Sequence, residues 1–194
     1  RMEIPELKSR LRLDNFTIGY IGRLVKEKGV MDLLRAVSLL KCKVNLLLVG
    51  DGELRNKITA EERRLGISDR IRIVETIPSS QVPEYLNCMD CLVLPSRTTK
   101  KWKEQFGRVL IEAMACEVPV IGSDSGEIPN VIGGSGLIFR EGDVDDLSSK
   151  IKLLINNIDM RVKLSRKSRQ RVLNNFTQEK VAKETYKIYQ KMMS

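Results

Sequence analysis

The chain has 194 residues, 42% hydrophobic and 30% charged, the composition of a globular domain that buries one sizeable core, not of a disordered chain. It contains no histidine, which excludes a Ser-His-Asp triad, an imidazole base and histidine metal sites, and leaves chemistry at neutral pH to carboxylates, Lys, Arg, hydroxyls and backbone amides. The formal charge of +9 points to anionic partners: a nucleotide phosphate, nucleic acid or an anionic membrane surface.

Residues 1–15 are charged, contain Pro5 and read as an interdomain linker or lead-in to a domain over residues 16–194. Their opening has no apolar core or small-residue cleavage site of a signal peptide, and no run approaches a membrane span, so the expected location is cytoplasmic. Phe16 to Ile21 reads as a short apolar strand closed by Gly22, followed by a helical pattern from Val30 through Leu40. Val44 to Val49 is a nearly uninterrupted aliphatic run, as expected for a parallel strand buried on both faces. The theme repeats: a charged helix over Glu53 to Leu65, a strand Ile71 to Val74, a helix Val82 to Asn87 and a strand Cys91 to Leu94 ending at Pro95. A charged loop, Ser96 to Gln105, leads to a helix Gly107 to Cys116 and a strand around Val118 to Ile121. After a last short strand at Ile138-Phe139 the pattern turns helical: Asp143 to Ile155 with Asp143 as N-cap, Met160 to Asn174, and Gln178 to Met192. Short apolar runs alternating with helices predict an α/β domain, an open parallel sheet with helices on both faces and a helical C-terminal tail. The cysteines Cys42, Cys88, Cys91 and Cys116 lie in or beside apolar segments and lack the spacing of a zinc set, so buried thiols are expected.

Ligands of an open parallel sheet bind beyond the carboxyl ends of its strands, which singles out four loops. The first is Gly22-Arg23-Leu24-Val25-Lys26-Glu27-Lys28-Gly29, where Arg23 offers a planar donor fork and Lys28 a compact charge near a helix start. Such a loop neutralises a diphosphate or simply decorates a turn; it is neither a GxGxxG fingerprint nor a Walker A loop. The second, Gly50-Asp51-Gly52-Glu53, suits a tight turn and equally a close approach of a nucleotide. The third, Glu104-Gln105-Phe106-Gly107-Arg108-Val109, enters a helix whose otherwise apolar surface carries Glu112. A carboxylate there needs a polar site to face or an i,i+4 partner, for which Arg108 is available. Two carboxylates flanking helix amides suit a hydroxyl-rich group beside a phosphate. In the fourth loop, Ser123-Asp124-Ser125-Gly126-Glu127, hydroxyls either complete a phosphate cradle or cap a helix.

Taken in order, the GRLxxxKG loop, the VGDG turn, the ExFGxxxxEAxA helix entry and the SxxGEIPxxI stretch resemble the C-terminal domain of the family 4 (group 1) retaining glycosyltransferases, whose GT-B fold sets two Rossmann-like domains face to face. The resemblance runs from Phe16 onward. It implies a Rossmann-like donor domain of a hexosyltransferase-type enzyme moving a sugar from a nucleoside diphosphate, UDP- or GDP-linked, to an acceptor hydroxyl. It further implies that Arg23 and Lys28 bind the diphosphate and stabilise its departure, that Glu104 contacts the donor sugar, and that Glu112 accepts from the ribose. Gly22, Gly50, Asp51, Gly52, Gln105, Phe106, Gly107, Arg108 and Val109 would line the donor, with Ile77 and Val82 bordering the base. No metal or other cofactor is implied. Asn130 stands where the family often has a second acid. The facing N-terminal domain, which carries the acceptor site, is expected to lie outside this chain, so that the chain binds donor but transfers little. The last helix would then leave Val181, Tyr186, Ile188 and Tyr189 partly uncovered.

Two other classes compete. Lys100-Lys101-Trp102-Lys103 and a helix bearing Arg161, Lys163, Arg166, Lys167, Arg169 and Arg171 could track nucleic-acid phosphates with Trp102 stacking on a base, though no recognition motif accompanies them. The same lysines could border an anionic acceptor or make peripheral contact with an acidic inner membrane face. A nucleotide-sugar-processing module that does not transfer, such as an epimerase or phosphorylase relative, is the third reading.

Overall fold

The computed structural model describes residues 3–193. Its centre is a six-stranded sheet of β1 (Phe16–Ile21), β2 (Val44–Val49), β3 (Ile71–Val74), β4 (Cys91–Leu94), β5 (Val120–Ser123) and β6 (Leu137–Phe139), in the order β3-β2-β1-β4-β5-β6. Every neighbouring pair is parallel. Parallel pairing forces crossover connections, supplied by α2 (Val30–Ser38), α3 (Arg55–Arg64), α4 (Val82–Asn87), α5 (Arg108–Ala115) and α6 (Ile128–Ile132). The period of two along each strand sorts side chains to two cores. Leu46 and Leu48 face Leu33, Leu34 and Val37 of α2 together with Leu147, Ile151 and Leu154 of α7 (Val144–Asn156). Leu47 and Val49 face the opposite core, with Leu86, Leu110, Met114, Ile128 and Val172. This accounts for the unbroken aliphatic run of β2, which is buried at every position.

The strand order reverses at β1, whose neighbours are β2 and β4. The crevice beyond the carboxyl ends of β1 and β4 is therefore where the loops diverge, and where this architecture takes ligands.

Several elements differ from the sequence expectation. β5 begins at Val120 instead of Val118, because Pro119 has no N-H for the ladder; its carbonyl accepts from Leu92 N at 2.9 Å and pairing starts at the next residue. The lead-in contains a helix, α1 (Pro5–Arg10), with Leu7 and Leu13 buried in the second core. α8 (Ile158–Asn175) starts earlier than Met160, because Asn157 caps it by accepting from Met160 N at 2.8 Å. Asp143 caps α7 as expected, accepting from Asp146 N at 2.9 Å. Cys88 and Cys91 are buried, but Cys42 is exposed and Cys116 only half-buried, since both lie in turns that close elements instead of inside them. α9 (Gln178–Met193) leaves Val181, Tyr186, Ile188 and Tyr189 at least half exposed.

Candidate functional site

The loops at the carboxyl edge are bonded to one another. Leu24 N donates to Asp51 O and Leu54 N to Leu24 O, each at 2.9 Å, so the turns after β1 and β2 are interlocked. Arg97 N donates to Glu27 O at 2.7 Å, and Glu127 N to Glu104 O at 3.0 Å. Two glycines make these approaches feasible. A Cβ on Gly29 would stand 1.8 Å from the Pro95 carbonyl oxygen, and one on Gly126 would stand 2.0 Å from the Glu104 carbonyl oxygen; both residues hold positive φ, +66° and +55°.

These contacts bring Lys28, at the end of the 3₁₀ turn Lys26–Lys28, against Glu104. The ammonium lies 2.6 Å from Glu104 Oε2, to which Ser96 Oγ also donates at 2.9 Å. Ser123 Oγ in turn donates to Ser96 O at 2.6 Å. The Trp102 ring centre lies 4.9 Å from Lys28 Nζ, close enough for a cation–π contact. Glu104 is thus a buried carboxylate, 7% exposed, held by a cation and a hydroxyl. Tyr20, beneath the first loop, donates its hydroxyl to Arg23 O at 2.6 Å. Burial, and secondarily the Glu104 charge, push its phenol pKa up, so it stays a protonated donor that pins the Arg23 backbone. The Arg23 guanidinium itself is exposed, with no ion-pair partner among the described residues.

On the same carboxyl edge lies an apolar cavity of about 220 Å³. Ile21, Gly22 and Arg23 at the end of β1, Val49, Gly50 and Asp51 at the end of β2, and Thr76, Ile77 and Val82 beyond β3 line it, bringing together residues read separately from the sequence. Gly52 belongs to the Asp51 turn, donating its N-H to Asp51 Oδ1 at 2.8 Å.

The third loop divides. Gly107 is buried and opens α5 in a left-handed conformation, Val109 is half-buried, and Gln105 and Arg108 are exposed. Phe106 is exposed and meets Phe176 edge to face at 5.9 Å. Glu112 is not drawn into the Lys28–Glu104 pair; it bonds to Arg108 Nε at 3.1 Å, the i,i+4 arrangement. Burial raises its pKa, with Arg108 opposing. In the fourth loop the hydroxyls are taken up inside the protein: Ser123 on Ser96, and Ser125 on Thr98 Oγ1 at 2.9 Å.

Sequence reasoning missed Ser96, Arg97 and Asp32. Ser96 and Arg97 follow Pro95 at the end of β4, so the strand-end rule that selected the other loops applied to them too. Asp32 stands among Val30, Leu33 and Leu34 in the apolar stripe of α2, a signal of the same kind that drew attention to Glu112. It is 3% exposed and takes a two-pronged contact from Arg97, Nε to Oδ2 at 2.5 Å and Nη2 to Oδ1 at 2.7 Å.

Four of the six basic side chains read as a phosphate track on α8 bond instead to backbone carbonyls, while Lys163 and Arg166 stay exposed. Arg161 bonds to Leu154 O and Ile155 O, Lys167 to Gly134 O, Arg169 to Ala115 O, and Arg171 to Val131 O and Asn130 O. These side chains fasten α8 to the body of the domain.

Residues 4–171 match the family model described as glycosyl transferases group 1. The chain belongs to that family. Among relatives of this glycosyltransferase domain, the capsular polysaccharide biosynthesis glycosyltransferase CapM of Staphylococcus aureus is 34% identical over 192 residues, 96% of this chain and 49% of CapM. The N-acetyl-alpha-D-glucosaminyl L-malate synthase of Bacillus anthracis is 33% identical over 174 residues, 88% of this chain and 44% of the synthase. The chain thus spans about half the length of these curated relatives. The fold is shared with Anabaena HepE, solved in complex with UDP, at TM-score 0.88 and 22% identity over 96% of this chain and 52% of HepE. It is also shared with the C-terminal domain of the group 1 protein LpcC of Francisella tularensis, at TM-score 0.77 and 22% identity, covering 88% of this chain and 91% of that domain.

Proposed function

We propose that this group 1 glycosyltransferase domain binds a nucleoside diphosphate sugar, a UDP-sugar ahead of a GDP-sugar, as the donor half of a retaining hexosyltransferase. The observation that carries the reading is the Lys28–Glu104 pair at the switch point of the sheet, on the same carboxyl edge as the apolar cavity. A cation and a carboxylate held side by side match two adjoining parts of such a donor: the ammonium meets a diphosphate oxygen, the carboxylate accepts from sugar hydroxyls. Ile77 and Val82 supply the apolar wall a base needs, and Glu112, half-buried and unfavourably charged, gains an acceptor role from a ribose hydroxyl. The UDP-bound HepE, of the same fold, supports UDP as the first nucleotide to test.

In the reaction as proposed, charge gathers on the departing diphosphate while the sugar becomes cation-like. Arg23 and Lys28 favour that state over the bound donor, without a metal ion. A second domain facing the carboxyl edge holds the acceptor, so this chain alone binds donor and transfers little. The proposed location is cytoplasmic, with the exposed lysines of the Lys100–Lys103 turn open to an anionic acceptor or an inner membrane face.

Calorimetric titration with UDP, GDP and ADP, each with and without EDTA, tests the reading. Metal-free binding of at least one is expected; failure of all three overturns the donor assignment, and affinity that vanishes with chelation overturns the metal-free part. In the two-domain enzyme, Lys28→Ala is expected to lower kcat at least about 100-fold, the scale of one electrostatic contact to the transition state. Near-normal turnover would remove Lys28 from the mechanism.

A further inference from the structure

We infer that the Asp32–Arg97 ion pair is a positioning device for the donor phosphates, setting where Lys28 stands without touching the ligand itself. The inference rests on the donor-binding reading above. Arg97 bonds in two directions at once. Its backbone N-H holds Glu27 O at 2.7 Å, the residue before Lys28, and its guanidinium grips both Asp32 oxygens in the first turn of α2. Its chain neighbour Ser96 bonds to Glu104 Oε2, the oxygen that Lys28 contacts. One residue pair therefore joins α2, the Lys26–Lys28 turn and the loop after β4, and both members of the Lys28–Glu104 contact hang from it. A planar fork on a carboxylate fixes direction as well as distance, which a Lys or an apolar pair would not. Burying Asp32 at 3% exposure is a poor way to gain stability, since well-packed apolar residues commonly do as well or better. Arg35 Nη1, 4.0 Å from Asp32 Oδ1, is the other cation beside that carboxylate, but it sits on α2 itself and ties no loop.

The test replaces both charges together, Arg97→Met with Asp32→Leu, which leaves no buried charge without its partner. Affinities for UDP and for uridine are measured by calorimetry, with thermal melts alongside, for the wild type, the double variant, Lys28→Ala and the combined triple variant. Expected are a melt close to wild type, a loss of UDP affinity of about tenfold or more in the double variant, and unchanged uridine affinity, because uridine has no phosphate for Lys28 to meet. The triple variant should bind UDP no more weakly than Lys28→Ala, since the pair acts through Lys28. Equal weakening of uridine and UDP, UDP affinity within twofold of wild type, or full additivity with Lys28→Ala overturns the proposal. A wild type that binds neither ligand, or a Lys28→Ala protein with intact UDP affinity, overturns the donor reading instead. If the double variant does not fold, Arg97→Lys keeps the charge and loses the fork. It should then show the same selective loss for UDP in smaller measure, and wild-type UDP affinity there would refute the positioning role.

Discussion

Glu104→Gln removes one charge from the centre of the site while leaving an oxygen for the Ser96 hydroxyl. At 2.6 Å the Lys28–Glu104 attraction is about 6 kcal/mol at an effective dielectric of about 20, before desolvation is subtracted. The two side chains are 17% and 9% exposed, between the surface pairs worth at most about 1 kcal/mol and the buried pairs whose rupture costs about 3–5 kcal/mol. A net loss of about 2 kcal/mol is therefore expected, which in a domain of this size lowers Tm by about 4–8 °C. Urea unfolding of the wild type, Glu104→Gln, Lys28→Met and the two together measures it, and the cycle should give a coupling of about 1–2 kcal/mol. The same Glu104→Gln protein should lose more affinity for UDP-glucose than for UDP, because the carboxylate would meet the sugar directly and would serve UDP only through its hold on Lys28. A coupling near zero would mean that the contact contributes nothing to the fold, and equal losses for both ligands would mean that Glu104 is not the sugar contact.

Gly126→Ala should cost about 2–3 kcal/mol and weaken UDP-glucose, since its Cβ would collide with the Glu104 carbonyl oxygen at a strained φ. Gly66→Ala, also at positive φ but with nothing within 4 Å, should cost only about 1 kcal/mol, and chemical unfolding of both separates collision from strain. Because the folded state raises the Glu112 pKa, it binds a proton more readily than the unfolded chain, and the ionised carboxylate works against stability above that pKa. Glu112→Gln should therefore raise Tm at neutral pH while lowering affinity for UDP; a lower Tm at pH 7 would contradict the burial cost. Glu61 behaves oppositely: hydrogen bonds from Arg64 and, beyond the burial cost, from Arg35 hold its pKa down at about 2, so its contribution is present above about pH 4.5 and lost as pH falls toward 2. Glu61→Gln should cost at most about 1 kcal/mol at pH 7, the range of exposed pairs, and that difference should shrink at pH 3 in urea titrations.

Strand positions were legible because a parallel strand buried on both faces leaves an aliphatic run, and Val44–Val49 has no other reading. Boundaries set by a single residue's chemistry were not: Pro119 lacks the N-H that would start β5 earlier, and the Asn157 side-chain cap advances α8. Lys28 and Glu104 could be singled out from strand-end logic and family resemblance, but their direct contact could not, since it depends on how two loops far apart in sequence interlock through Gly29 and Gly126. Lys28 is 17% exposed and ion-paired, so its removal touches fold as well as chemistry. Asp32 and Arg97 were invisible as a pair because nothing in the spacing of a helix residue and a strand-end residue announces their contact.

The lateral backbone bonds along the carboxyl edge also bear on how such a site can change over generations or in the hands of an engineer. Leu24 answers to Asp51, Arg97 to Glu27, and Glu127 to Glu104, so each of these loops holds its shape partly through a neighbour. The heritable unit of specificity is then a pair of loops from different crossovers. A longer turn after β4 would drag the Lys28 segment with it, and a loop transplanted singly from a relative would arrive without the carbonyl it leans on. Exchanging partners two at a time, with Gly29 and Gly126 kept, is the move that this architecture accommodates.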